Sequence, residues 1–378
     1  MYSLYSLVEQ YVTRKRFDII EPVFPNVFVQ KIQVSVSGSG SVVIVVPDHT
    51  RTLRVGDILG FVLDGFSGFD DVKVLFGTGT HNMSDNDVKR LLGDVDVDYS
   101  VHDAWSSEHV FVGKTSRDLD VYIDREYAEA DVKIVVGVVV PHPWAGFSGG
   151  AKLVLPGVSS IYTINEHHTR WFLHKRSRAG VLNGNIFREE IENAAMLAGV
   201  DYSLNIVTFG DRIVYMRWNR GLDSFYDCVR IASRIYLRPV PRKKYDVVVA
   251  DARPFDLNLY QATKAIDHAK LVLNRGGSLI LVCECPGGYG GIRDYLDMSK
   301  YEIYEGLKMK RFRNLVPPLV ALTLKDLQKR VKLYIVSSNI SGDEMFEKIE
   351  LDELESIVKG KRTLFIKQAG TTVPKLDF

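Results

Sequence analysis

Between His142 and His168 the chain places one lysine and three histidines among glycines, prolines and apolar residues. The stretch opens His142-Pro143-Trp144-Ala145-Gly146-Phe147-Ser148-Gly149-Gly150-Ala151-Lys152, passes through Pro156-Gly157, and closes Glu166-His167-His168. Imidazoles carry protons near neutral pH and ligate metals. A lysine surrounded by water stays an ammonium, but small and apolar neighbours such as those of Lys152 desolvate the amine and make it a usable nucleophile. The paired glycines Gly149 and Gly150 let backbone approach a ligand closely, with N–H groups that can face an anion. His167 and His168 are adjacent and point about 100° apart on a helix, so one is expected to face a site and the other the surface.

Three other short segments carry groups of the same kind. Asp48-His49-Thr50-Arg51 offers a guanidinium that can hold a carboxylate or phosphate bidentately, or a capping aspartate paired with its own arginine. Gly77-Thr78-Gly79-Thr80-His81 lacks the third glycine of a dinucleotide fingerprint, yet Thr78, Gly79 and Thr80 could cradle one phosphate at a helix N-terminus. Tyr260-Gln261-x-x-Lys264 puts Tyr260 and Lys264 on one helix face near its start.

Strand ends must deliver these groups. Val42–Val46, Asp71–Phe76 and Val132–Val140 are apolar runs that read as buried strands, and each ends in a polar loop marked by Gly or Pro. In open parallel α/β sheets ligands sit at the carboxyl ends of strands, so the three loops are expected to meet. A strand is expected over 27–36, helical spacing follows around 55–63, and Ser84 with Asp87 forms a capping box for the next helix. Helices are expected over 185–199, 223–236, 257–274 (closed by Gly276-Gly277) and 343–359, and strands near 204–209, 212–216, 245–250, 278–283, 331–337 and 362–367. The Pro- and Arg/Lys-rich run 238–244 reads as a linker. The expected architecture is therefore α/β, with two α/β domains of mainly parallel sheets, 1–238 and 245–378, and an active-site crevice between them.

Composition narrows the class. The 378 residues are 46% hydrophobic and 25% charged, typical of a globular protein, and the formal net charge of +1 gives no reason to expect a nucleic-acid or membrane partner. Three cysteines fit a reducing compartment, Cys283-x-Cys285 reads as a strand end in the core, and no basic leader precedes the first apolar residues, so the expected location is the cytoplasm.

Taken in order, Asp-x-Thr-Arg, Gly-Thr-Gly-x-His, His…Gly-Phe-Ser-Gly-Gly-x-Lys-x-x-x-Pro-Gly, a downstream His and Tyr-Gln-x-x-Lys resemble the lactate racemase family, enzymes that use a nickel-pincer nucleotide. The resemblance extends over both halves of the chain. It implies a racemase or epimerase that inverts C2 of a small 2-hydroxy acid by proton-coupled hydride transfer to the cofactor, nickel pyridinium-3-thioamide-5-thiocarboxylic acid mononucleotide, attached covalently to Lys152. It further implies His168 as the protein ligand to nickel, His81 and His142 as proton acceptor and donor, and Arg51, Tyr260, Gln261 and Lys264 as substrate-binding or site-shaping groups. Asp48 takes the part of an orienting partner, and Ser148, Gly149, Gly150 and the Gly77–Thr80 loop that of cofactor contacts. Cofactor-biosynthesis enzymes are the implied protein partners. Asn82 and Thr52 stand where the family usually has a basic residue and a proline, and all four tryptophans precede residue 219, so the resemblance does not fix one substrate. Two other readings compete: a nicotinamide- or nucleotide-dependent oxidoreductase, and a non-catalytic homologue that binds a cofactor or metal.

Overall fold

In the computed structural model, residues 3–15, 17–25, 32–51, 53–242 and 244–375 are described. Contacts divide the chain into two compact units, residues 24–233 and a second unit made of 1–23 with 234–378. The expected division kept the N-terminal residues with the first half. Their hydrophobic face decides otherwise. Tyr5, Val8 and Val12 of the helix Leu4–Lys15 are buried in one cluster with Val247, Val249, Ile280, Val282 and Phe365. A 12-residue helix is marginal by itself. Burying three such side chains, at about 1.5–3 kcal/mol each, holds it on that sheet. The strand Asp18–Ile20 then pairs parallel with Thr363–Ile366. Nor is 238–244 all linker, because Leu237–Pro239 pairs with Val373–Lys375.

The 24–233 unit is built on a six-stranded sheet in the spatial order Arg212–Arg220, Tyr202–Phe209, Val132–Val138, Ser41–Pro47, Asp71–Gly77, Asp98–Val101. Arg212–Arg220 runs antiparallel to its neighbour and the other strands are parallel. The three strands expected to deliver the site are therefore neighbours, each buried in its central or carboxyl-terminal part, and their carboxyl ends lie side by side. Ser84 caps the helix Asp85–Leu92 with the reciprocal Asp87 bond, as its spacing predicts. Of the strand expected over 27–36, residues 27–31 lie outside the described residues, and the pairing begins only at Val36.

The other unit carries a parallel six-stranded sheet in the order Asp18–Ile20, Thr363–Ile366, Tyr245–Asp251, Leu273–Val282, Lys332–Val336, Glu347–Lys348. The helix expected over 257–274 is shorter, Leu259–Ala269, because the chain has already entered the strand Leu273–Val282, where Gly276 and Gly277 lie. The charged run 343–359 forms only a two-residue strand and the short helix Leu354–Val358. Its charged residues outnumber the apolar ones that could tie a longer helix to the core. Cys283 and Cys285 are buried free thiols at a strand end, as expected. Among the described residues no helix is long and apolar enough to cross a membrane.

Candidate active site

The loop after Ser41–Pro47 is a relay of donors and acceptors. Arg51 Nη1 donates to Thr50 Oγ1 at 2.7 Å, and Thr50 Oγ1 donates to Asp48 Oδ1 at 2.6 Å. Asp48 Oδ2 lies 2.6 Å from His81 Nδ1, on the loop of the neighbouring strand. Burial by itself would raise the Asp48 carboxyl, but the adjacent His81 and Arg51 outweigh it and hold the group well below the usual carboxylate range. An ionised Asp48 requires the proton on Nδ1 of His81, which leaves Nε2 as the basic nitrogen of the neutral ring.

His142, at the end of the third strand's loop, is arranged the other way. Its Nδ1 accepts from the backbone N–H of Trp144 at 3.3 Å and of Ala145 at 3.2 Å. A nitrogen that accepts carries no proton, so the neutral ring bears its hydrogen on Nε2. The two histidines are thus fixed as opposite tautomers by the groups behind them.

Lys152 lies in the short 3-10 helix Gly150–Leu153 and is buried. Gly149 and Gly150 enter that turn at φ of +82° and +54°, a left-handed region that suits glycine. The turn rests directly on the sheet, since a Cβ on Gly137 would come within 2.9 Å of the Gly149 Cα and the Gly150 nitrogen. Burial, followed by the positive charges of Arg51 and Arg188, brings the Lys152 amine down to about 7. A substantial share of it is therefore uncharged and nucleophilic near neutral pH.

The helix Ile161–Trp171 starts at Ser160, whose side chain accepts from the Thr163 N–H, and buries Thr163, Ile164, His167 and His168. His168 Nδ1 donates to the Ile164 carbonyl at 2.8 Å, which leaves Nε2 as its lone-pair nitrogen. Burial, and then the nearby Lys152 charge, takes the His168 imidazole down to about 3, so it is neutral at any working pH. The ring packs against Trp144 at 5.9 Å and Phe187 at 5.0 Å. One of the two adjacent histidines was expected at the surface, yet His167 is not there. It is buried instead, with Nε2 bonded to the Phe187 carbonyl at 2.9 Å, because the helix is enclosed by Phe187 and its neighbours.

Several expected anion contacts prove to be braces. Ser148 Oγ donates to the Val138 carbonyl at 2.6 Å and accepts from the Val140 N–H at 3.1 Å. Thr78 Oγ1 donates to the His102 carbonyl at 2.6 Å, and Gly79 N–H to the Gly157 carbonyl at 2.9 Å. The Gly150 N–H, read from sequence as open to an anion, is spent on Asn205 Oδ1 at 2.9 Å. Thr80 is half-buried at the turn before His81. These bonds stitch the Gly77–Thr80 loop, the lysine turn and the sheet together.

Sequence reasoning missed Asn205, Arg188 and His102. Asn205 and Arg188 sit mid-strand and on a helix with no motif around them. His102 Nδ1 bonds Asp124 Oδ2 at 2.9 Å and its Nε2 the Ser159 carbonyl at 3.0 Å, partners far apart in sequence. Tyr260, Gln261 and Lys264 belong to the other unit, on the helix Leu259–Ala269, which Asn258 caps through the Gln261 N–H. There Lys264 Nζ donates to Gln261 Oε1 and sits 4.1 Å from the Phe255 ring centroid.

The fold and this neighbourhood define an α/β protein with a buried lysine amine brought down to about 7, a buried neutral imidazole and two histidines of opposite tautomer. Residues 11–180 match the sequence family described as the lactate racemase N-terminal domain, and residues 240–314 the lactate racemase C-terminal domain. The lactate racemase of Thermoanaerobacterium thermosaccharolyticum is 29% identical over 287 residues, 72% of this chain and 67% of that protein. That of Lactiplantibacillus plantarum is 28% identical over 286 residues, 71% of this chain and 66% of that protein, so the aligned segment spans about two thirds of each relative. The structure of the lactate racemase apoprotein from T. thermosaccharolyticum superposes with a TM-score of 0.80 at 24% identity, covering 99% of this chain and 93% of that one. A Thermotoga maritima protein superposes with a TM-score of 0.69 at 16% identity, covering 99% and 98%. These two likenesses speak to the fold. The chain belongs to the lactate racemase family and is, as such, an isomerase.

Proposed function

We propose that the protein inverts the C2 centre of a small 2-hydroxy acid, lactate or a relative of it, using a nickel-pincer nucleotide joined to Lys152. The observation that carries this reading is the Lys152 amine, buried and brought down to about 7 within the charge field of Arg51 and beside His168. A surface lysine has no use for such an environment, whereas an acyl attachment point needs a neutral amine.

The residues present fit the group. Among the described residues no cluster of three or more His, Cys, Asp or Glu side chains could hold a metal, so a metal here would bring most of its donors with it. His168 offers one neutral nitrogen, oriented by its bond to Ile164, as a protein ligand should be. Lys152 would hold the nucleotide and His168 the nickel. The chemistry such a group supplies when bound is reversible acceptance of the C2 hydrogen with its bonding electron pair.

The chain's own groups do the rest. A 2-hydroxy acid must lose its hydroxyl proton as C2 becomes a carbonyl carbon. His81 Nε2 takes that proton, with Asp48 stabilising the imidazolium through Nδ1. His142 carries its hydrogen on Nε2 and must gain a second proton from solvent at Nδ1, in place of the backbone N–H contacts there, before it passes the Nε2 proton to the carbonyl oxygen as the opposite configuration forms; it is then left as a neutral ring. In the reverse direction the two exchange roles, which is why two histidines are required. Arg51 fixes the substrate carboxylate near this pair. Apolar rings of Trp144 and Phe187 around His168 keep water from the reacting carbon.

The test is a panel of single-enantiomer 2-hydroxy acids incubated with protein co-expressed with cofactor-making enzymes, read by chiral chromatography. Each accepted acid should approach a racemic or epimeric mixture from either side. A holoprotein that oxidises such acids to 2-keto acids with net turnover of a nicotinamide, and inverts none of them, defeats the reading.

A further inference from the structure

Arg188 is a fully buried guanidinium in the helix Ile186–Ala198, with 2% of its surface exposed. Burying a permanent cation is unfavourable unless its donors are met, and here they are aimed at one loop. Nη1 donates to the carbonyls of Phe147 and Gly149, at 3.3 and 3.4 Å, the two that flank Ser148. Nε donates to Glu192 Oε1 at 2.8 Å, one helical turn on. The guanidinium carbon stands 3.8 Å from the Phe225 ring centroid. The same ring backs Gly150, where an added Cβ would meet it at 3.0 Å. Phe225 is thus packed between the glycine turn and the guanidinium.

We propose that Arg188 is a positioning residue for Lys152: its guanidinium, seated on Phe225 and bonded to both carbonyls, fixes the Phe147–Gly150 backbone so that the next turn presents the amine. The inference rests on reading Lys152 as the attachment point. Arg188 has a second effect of the same sign, since its charge also disfavours the ammonium form of Lys152. An arginine suits both tasks better than a lysine, because a planar fork can stack and serve several acceptors at once.

The experiment measures the amine directly in the full chain produced without cofactor. Lys152 is acetylated with an N-hydroxysuccinimide ester across pH 6–10 and quantified by peptide mass spectrometry. The amide bond forms as the ester C–O bond breaks, and the amine proton passes to buffer. Thermal unfolding of each variant is recorded alongside. Arg188→Met and Arg188→Lys are both expected to label Lys152 more slowly at pH 7, by about fivefold or more, as expected when a reacting group loses its fixed orientation. Arg188→Met should also move the pH profile upward, while Arg188→Lys, which keeps the charge, should lower the rate with less movement of the profile. If Arg188→Met does not fold, Arg188→Lys decides. A folded Arg188→Lys that labels at the wild-type rate with the wild-type profile overturns the proposal. Because the assay needs no cofactor, its result stands apart from whether the native protein carries the nucleotide, which intact mass alone reports.

Discussion

Asp48 Oδ2 and His81 Nδ1 stand 2.6 Å apart across two neighbouring strand-end loops, and this contact decides which nitrogen of His81 can act as a base. His142 is oriented by a different kind of group. Two backbone N–H groups point at its Nδ1 instead. One ring presents a basic Nε2 and the other an Nε2–H.

Asp48→Asn keeps the shape of the relay and removes its charge. The imidazolium of His81 then loses its counter-ion, and the ring is free to take the other tautomer. Inversion by the loaded enzyme should fall by about 10²-fold in kcat with little change in KM, measured from both enantiomers. An unchanged kcat removes Asp48 from the account of proton transfer.

Lys152 sets a pH dependence of stability in the cofactor-free chain. The unfolded chain keeps this lysine protonated up to about 10.5, while the folded chain releases the proton near 7. Between those values the unfolded state binds more protons, so this group makes stability rise with pH; below the window the folded state bears the whole cost of the buried cation. Lys152→Met should therefore stabilise the chain at pH 6, on the order of 3 kcal/mol, and the gain should shrink towards pH 10. Denaturant titrations at the two pH values check it.

Acid acts through the histidine pair. Unfolded imidazoles take protons below about 6.5, whereas folded His168 resists until about 3, and His167 is also depressed by burial. The unfolded state binds more protons across that range, so stability falls as pH drops through it. The double variant His167→Gln, His168→Gln should show a flatter stability slope between pH 6 and 4 than wild type, by up to about 1.4 kcal/mol per pH unit for each group removed. Circular dichroism melts across that range supply the comparison.

Gly137→Ala tests the seat of the lysine turn. The new methyl would press on Gly149 and Gly150 backbone at 2.9 Å, so the turn must lift or the strand must bend. A stability loss of about 1–3 kcal/mol is expected. Lys152 acetylation at pH 7 should slow as well. Normal labelling in a destabilised protein would show that the close seat serves the fold alone.

Much of this was legible in the sequence because the chemistry lies at strand ends. Val42–Val46, Asp71–Phe76 and Val132–Val138 announce themselves as buried runs, and Asp48, His81 and His142 follow each at once. Ser84 with Asp87 likewise marks its helix by spacing alone. What was hidden depends on partners distant in sequence. Nothing near Ser148 predicts that its hydroxyl is consumed by Val138, nothing near Gly150 points to Asn205, and Arg188 reads as one more charge on an amphipathic helix. The placement of Leu4–Lys15 beside strands more than 200 residues later is of the same kind, set by which apolar faces remain uncovered.

The central claim is best met by the mass of the protein taken from its native source, or co-expressed with the cofactor-making enzymes. The account predicts an adduct of several hundred daltons, localised by peptide mapping to Lys152, accompanying the fraction that inverts 2-hydroxy acids and absent from Lys152→Ala. A preparation that inverts such an acid with Lys152 unmodified would contradict it.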